Sequence, residues 1–213
     1  IVNLSSASAY GTTGFEGSGP MTEDGDWPKP DTLYGVSKLA SEGVARRLAT
    51  LWETDIVNLR LSGVFGPGER DTGRRDTLSP HLQAARLMLH GETAILPRAG
   101  ARDWTDSRAV AEAVVGVLQA KRLAHDLYNV SAGREWTVAD WLGALAAADP
   151  DLSWRIAEPG ETPNVDMHGL HDRRPLSAER LKADLDIDLW RAPDDLAKAF
   201  LEWRKAAPGY WTG

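Results

Sequence analysis

Cysteine is absent from all 213 residues. That excludes disulfides, thiolate nucleophiles and cysteine-ligated zinc. Positive charge is in short supply: 24 Lys and Arg against 31 Asp and Glu leave a net charge of −7. No basic stripe gathers the cations, so nucleic acid is not an expected partner. Long hydrophobic runs are missing too. The longest apolar stretch, around Ala109–Leu118, is interrupted by Glu112 and falls well short of the ~20 residues of a bilayer span. The opening residues read as a strand and not as a signal peptide. These absences describe a cytoplasmic chain with no membrane partner, and neither internal repeats nor low-complexity tracts complicate it. Its apolar fraction of 42% and charged fraction of 26% are those of a globular protein. The length suits one large domain or one and a half ordinary ones. Nine tryptophans read as core and interface anchors, each needing a partner for its N–H.

Ile1–Leu4 is an apolar run feeding small residues, a buried-strand pattern that begins abruptly. Residues 11–31 hold five Gly and three Pro, which predicts a long surface loop. Asp31 or Thr32 can cap a helix over about 33–53. A β-rich run over 55–62 leads through VFGPGER into an Arg-rich loop. Thr77 to His90 reads as helix, with Pro80 near its first turn and Gly91 past its end. Short strands are expected at Ala94–Leu96, Asp103–Thr105, 126–131 and Trp154–Ala157. Helices are expected at 107–121, at 138–148 with Thr137 as its cap, at about 177–185 and at 193–206. The first part alternates strand and long helix as in a parallel α/β layer, and the second is mixed and shorter in pitch.

Chemistry enters at the pentapeptide YGVSK, residues 34–38. Positions i and i+4 stack on one helix face, so the Tyr34 phenol and the Lys38 ammonium can converge on one bound molecule. The cation favours the phenolate of a group whose ordinary pKa near ~10 is too high for a base at neutral pH. With Ser5, Ser6 and Ser8 in NLSSASAYG, the pair suggests a Ser–Tyr–Lys proton-transfer centre. Four tyrosines and six lysines supply about 0.1 such matches by chance, so the neighbouring motifs have to decide.

Those neighbours resemble a family, the extended short-chain dehydrogenase/reductases of the NAD-dependent sugar epimerase/dehydratase group. SSASAYG resembles its strand-end serine motif and YGVSK its catalytic helix. LRLSGVFGPGER resembles the segment after the next strand, ARDWTDSRAVAEAV the RD-aromatic motif and following helix, and LYNVSAGREWTVADW a further strand and loop. Order and spacing match over roughly residues 1–206. The resemblance implies an α/β fold: the carboxyl-terminal part of a Rossmann-like, doubly wound parallel sheet plus a smaller mixed α/β substrate domain. Residues 1–66 would be the remainder of the dinucleotide-binding domain. Residues 67–213 would be mainly substrate-binding, with 107–131 a candidate for return to the Rossmann sheet. No G-x-G-x-x-G or G-x-x-G-x-x-G run opens a helix. Four strand–helix units, on the order of 100 residues at about 30 per βαβ unit, are therefore expected upstream, together with the pyrophosphate cradle.

The roles follow from the same resemblance. Ser6 would hold the reacting oxygen, Tyr34 would take or return a carbinol proton, and Lys38 would bind the nicotinamide ribose. Leu61, Ser62 and Val64 would join Tyr34 and Lys38 at the cofactor, which is NAD or NADP with NAD preferred. Ser6, Ser8, Gly63, Arg70 and Arg102 would meet the substrate. Dehydratases of the group carry Asp-Glu where Ala7-Ser8 stand, and one epimerase type needs a cysteine, so dehydration is disfavoured. Oxidation at a carbinol of a sugar, sugar acid or nucleotide-sugar is expected, as a dehydrogenase or an epimerase, in a homodimer built through the Tyr–Lys helix. The alternative is a non-catalytic dinucleotide-binding sensor or scaffold. Gly63 departs from the Asn frequent in nucleotide-sugar enzymes, and Ala109 from a usual Asp. Arg70, Arg74 and Arg75, with Arg102, suit an anionic substrate, while Arg173 and Arg174 could equally be structural. His168 and His171 lack a third ligand, so no metal is expected.

Overall fold

In the computed structural model, which describes residues 1–73 and 78–208, strands and helices follow in this order. β1 (Val2–Ser6) leads into a 3-10 turn at Ala7–Ala9 and a second at Thr12–Phe15, then α1 (Leu33–Trp52), β2 (Val57–Leu61), β3 (Val64–Phe65) and α2 (Pro80–Leu89). Next come β4 (Ala94–Leu96), β5 (Ala101–Arg102), β6 (Thr105–Asp106), α3 (Ser107–Gln119) and β7 (Leu127–Val130). The chain closes with β8 (Trp136–Thr137), α4 (Val138–Ala148), β9 (Trp154–Ile156), α5 (Glu179–Leu185) and α6 (Pro193–Ala206). It divides into two compact units. The first comprises residues 1–64, 102–135 and 173–190, the second 65–101, 136–172 and 191–213.

The first unit is built on a three-stranded parallel sheet in the order β1-β2-β7. Val2 pairs with Val57 and Ser6 with Leu61, while Asn58 pairs with Leu127 and Leu61 with Val130. Parallel neighbours need a crossover, and between β1 and β2 that crossover is α1. The α1 helix starts where Thr32 accepts a hydrogen bond from the Gly35 N–H, and it stops at Glu53, which is left-handed with φ 50°. On the sheet, α3 lays down Val110, Ala113 and Val117 among Val57, Leu59, Tyr128, Val130, Leu181 and Leu189. Apolar side chains excluded from water here supply the unit's main stabilisation.

In the second unit β4 and β9 pair in parallel, Ala94 with Trp154 through Leu96 with Ile156. Ser79 caps α2 ahead of Pro80. Thr137 and Asp140 form a reciprocal capping box on α4. An aromatic cluster fills the space between helices: His81 stacks on Phe65 at 3.9 Å, and Trp141 meets both His81 and Phe200 edge-on.

The α/β class with a parallel sheet agrees with the expectation. Of the strand expected at Asp103–Thr105 only Thr105 is strand, at the start of β6, and β5 ends before it at Arg102. Asp103 is the reason: its buried carboxylate accepts hydrogen bonds from Ser131 Oγ at 2.6 Å and the Leu176 N–H at 2.9 Å, which turns the backbone inward between the two. The long loop over 11–31 contains the second 3-10 turn and is tied down by Lys29 and Tyr10, whose backbones bond at 3.0 Å. Two tryptophans expected as anchors, Trp27 and Trp52, are 80% and 60% exposed. No helix among the described residues is long and apolar enough to cross a membrane.

Candidate active site

Ser6 ends β1, and its Oγ accepts a hydrogen bond from the Ser8 N–H at 3.1 Å, capping the turn Ala7–Ala9. In an open parallel sheet this carboxyl edge is where ligands bind. The amino-terminal end of α1 lies directly over that turn. A Cβ on Gly35 would sit 2.4 Å from the Ser8 carbonyl oxygen, so only glycine permits this approach. Tyr34, one residue earlier, is half exposed. Lys38, one turn on, donates from Nζ to the Leu4 carbonyl at 2.8 Å and lies 5.5 Å from the Tyr34 ring centroid. Serine, tyrosine and lysine are thus carried by two elements that touch at β1 and its following turn.

The residues after β2 are arranged differently. Leu61, Ser62, Gly63 and Val64 are all partly buried. Ser62 Oγ bonds to the Asp103 carbonyl at 2.9 Å and to Thr105 Oγ1 at 2.7 Å, so its side chain is turned into the fold. Gly63 lies against the Trp104 indole, where a Cβ would come within 2.7 Å of the ring. Arg102 lies over the same indole, its guanidinium carbon 5.2 Å from the ring centroid. Arg70 falls in the second unit on an exposed loop, and Arg74 and Arg75 lie outside the described residues.

Two features escaped the sequence. The first is a cationic pair. Arg173 is held down to a pKa of about 10 by burial first and by the charge of Arg102 second, with Asp31 and Asp103 opposing. Its guanidinium lies 5.5 Å from the Phe15 ring centroid. Arg174, beside it, serves the loop over 11–26, donating to the Glu16 and Gly19 carbonyls and to Asp26. The second is a buried polar chain beneath the site. Glu42, two turns along α1 from Tyr34, accepts from Ser5 Oγ at 2.5 Å and from Arg60 at 2.9 and 2.7 Å. Arg60 in the apolar strand VNLRL was the available signal, because a guanidinium inside such a strand demands a buried acid.

A G-x-x-G-x-x-G spacing does occur, at Gly11, Gly14 and Gly17, but it opens a four-residue 3-10 turn. Its gaps are filled from within: a Cβ on Gly11 would lie 1.8 Å from the Lys29 carbonyl oxygen, and one on Gly14 2.7 Å from Arg173 Nε. Gly11 and Gly14 serve packing, not a phosphate cradle.

Residues 1–131 match the NAD dependent epimerase/dehydratase family, and the chain belongs to that family. Among curated proteins it is similar to dTDP-L-rhamnose 4-epimerase of Burkholderia thailandensis, 29% identical over 130 residues, 60% of this chain and 35% of that one. Among solved structures it resembles the UDP-glucuronic acid 4-epimerase of Bacillus cereus in complex with NAD, with a TM-score of 0.72 at 20% identity. That match covers 99% of this chain and 62% of the other. It also resembles RMD from Pseudomonas aeruginosa complexed with NADPH, with a TM-score of 0.70 at 20% identity over 96% of this chain and 66% of that one. The chain therefore spans about a third of the curated relative and under two thirds of the first of these structures. At these identities the structural matches establish the Rossmann-type fold.

Proposed function

We propose that the complete protein carrying this chain is an NAD(P)-dependent oxidoreductase or epimerase acting on a carbinol of a sugar, sugar acid or nucleotide-sugar. The observation that carries this reading is the seating of α1 on the carboxyl end of β1. Lys38 is bonded to Leu4, and Gly35 is pressed against Ser8. A half-exposed phenol and an ammonium beside it, at the ligand edge of a parallel sheet, fit the ribose and nicotinamide end of a dinucleotide. When bound, that cofactor supplies the hydride acceptor and donor. Tyr34 takes the carbinol proton at Oη and returns it on reduction. Ser6 holds the reacting oxygen, and Lys38 donates to the ribose hydroxyls. Leu61, Ser62 and Val64 border the cofactor through backbone and apolar surface, since the Ser62 hydroxyl is already engaged.

Arg102 and Arg173, near enough for the charge of the first to hold down the pKa of the second, support an anionic group on the substrate, since guanidinium forks suit phosphate or carboxylate. Ala7 and Ser8 offer no acid–base pair for loss of water, so the dehydratase reaction is disfavoured. A homodimer through α1 accords with the exposure of Val36, Val44, Leu51 and Trp52 on that helix, and sedimentation as a monomer would reject it. The deciding experiment incubates the complete protein with NAD⁺ or NADP⁺ and a panel of sugars and nucleotide-sugars. Tyr34→Phe should retain dinucleotide and lose turnover. Undiminished turnover with cofactor bound sinks the proposal.

A further inference from the structure

Glu42 and Arg60 are both buried, with side chains 0% and 3% exposed. Two charges taken from water are costly, and apolar residues of similar volume often serve stability equally well. What an ion pair with a guanidinium fork supplies, and an apolar pair does not, is direction. Its position gives that direction a use. Arg60 lies opposite Ser5 in the β1–β2 register, and Ser5 Oγ donates to the same Glu42 oxygen that Arg60 Nε reaches. On the far side of the turn the Arg60 guanidinium carbon lies 4.4 Å from the Tyr10 ring centroid. The Tyr10 hydroxyl in turn donates to Asn129 Oδ1 at 3.0 Å, at the neighbouring strand β7. Ser6 is therefore bracketed. The residue before it is fastened to Glu42, and the end of the turn after it rests on Arg60. Tyr34, Lys38 and Glu42 recur every four residues on one face of α1, so the carboxylate that fixes Ser5 belongs to the helix that carries the phenol.

Resting on the hydride-transfer reading above, we propose that Ser5, Glu42 and Arg60 are positioning residues, a clamp that sets Ser6 against Tyr34 for proton transfer. The clamp touches neither substrate nor cofactor. It acts by making the carboxyl end of β1 and the face of α1 a single rigid body, where a shift of about 1 Å costs on the order of a hundredfold in rate.

The test compares wild type, Glu42→Leu/Arg60→Met, Ser5→Ala and Tyr34→Phe as complete proteins. Each is assayed with NAD⁺ on the sugar or nucleotide-sugar that wild type turns over, starting from UDP-glucuronic acid and glucose. The apolar double variant should melt no lower than wild type and bind NADH within about twofold, yet lose roughly thirtyfold or more in kcat with little change in KM. Ser5→Ala leaves the ion pair in place and should lose about fivefold in kcat at unchanged NADH affinity, so the proposal stays testable if the double variant fails to fold. A kcat within about twofold of wild type in Ser5→Ala, or in a folded double variant, overturns the clamp when Tyr34→Phe is inactive. If Tyr34→Phe itself keeps wild-type turnover, the Ser–Tyr–Lys reading falls and the clamp falls with it.

Discussion

Replacing His81 by phenylalanine should remove roughly 3 kcal/mol of the stability lost between about pH 7 and about pH 4.5. His81 is 1% exposed. Its ring is stacked at 3.9 Å on Phe65 and flanked by Trp136 at 5.6 Å and Trp141 at 5.2 Å. Burial pushes the imidazole from 6.5 down to about 3, because an imidazolium among aromatic rings loses its hydration. Between those values the unfolded chain binds a proton that the folded chain refuses. The contribution to stability is therefore fully present above pH 6.5 and is lost as the pH falls toward 3. Linkage gives about 1.4 kcal/mol per pH unit for one proton, so roughly 3 kcal/mol is lost by about pH 4.5. Urea unfolding at about pH 7 and about pH 4.5, followed by tryptophan emission, measures this directly. Phenylalanine keeps the stacking and cannot take the proton, so every other titrating group cancels in the comparison. Equal loss of stability in the two proteins would refute the reasoning.

Arg173→Ala and Arg102→Ala should each raise KM for an anionic substrate roughly tenfold or more, at nearly constant kcat, the expected size of one lost charge-assisted contact. Steady-state kinetics on charged and neutral members of the sugar panel would read this out, and an equal response to both would assign the arginines to structure. Gly35→Ala places a methyl 2.4 Å from the Ser8 carbonyl oxygen. It should lower both the melting temperature and kcat, the latter by about a hundredfold if α1 is displaced by 1 Å. An unchanged kcat would mean that the Ser8 backbone yields freely. Gly63→Asn should destabilise by about 1–3 kcal/mol through crowding of Trp104. Pairing it with Trp104→Phe should recover part of the loss in thermal unfolding, whereas strict additivity would show that the indole is not what the new side chain meets.

Local signals in the sequence predict local structure well here. Thr32, one of the two caps expected, caps α1, Thr137 caps α4 as read, β4 occupies the expected residues, and Pro80 begins α2. Each of these depends on side chains within a few positions of the backbone they organise. The misses have distant causes. Asp103 falls outside any strand, with side-chain partners Ser131 and Leu176 that are 28 and 73 residues away. The 3-10 turn after Ser6 is held by a helix that begins far downstream. For the candidate site, the i,i+4 spacing places Tyr34 and Lys38 on one face with no knowledge of the fold, while only the family resemblance singles out Ser6 from among Ser5, Ser6 and Ser8. Neither spacing nor composition pairs Glu42 with Arg60, or Arg102 with Arg173, since each pairing exists only once strands and loops far apart in the chain are brought side by side.

Gly63 shows how such pairings alter the reading of a motif. Against the resemblance it is a loss, since an asparagine that could meet the substrate is replaced by nothing. Against the fold it is the condition for something else. The indole of Trp104 occupies the space a side chain at 63 would take, approaching to 2.7 Å of where a Cβ would be. The same indole lies beside Arg102 at 5.2 Å. An aromatic face next to a guanidinium steadies its orientation. With no side chain at 63 the indole packs there and holds Arg102, whose charge acts on Arg173. Two cations there suit negative charge on a substrate, so the departure at Gly63 is compatible with the anionic sugar proposed above.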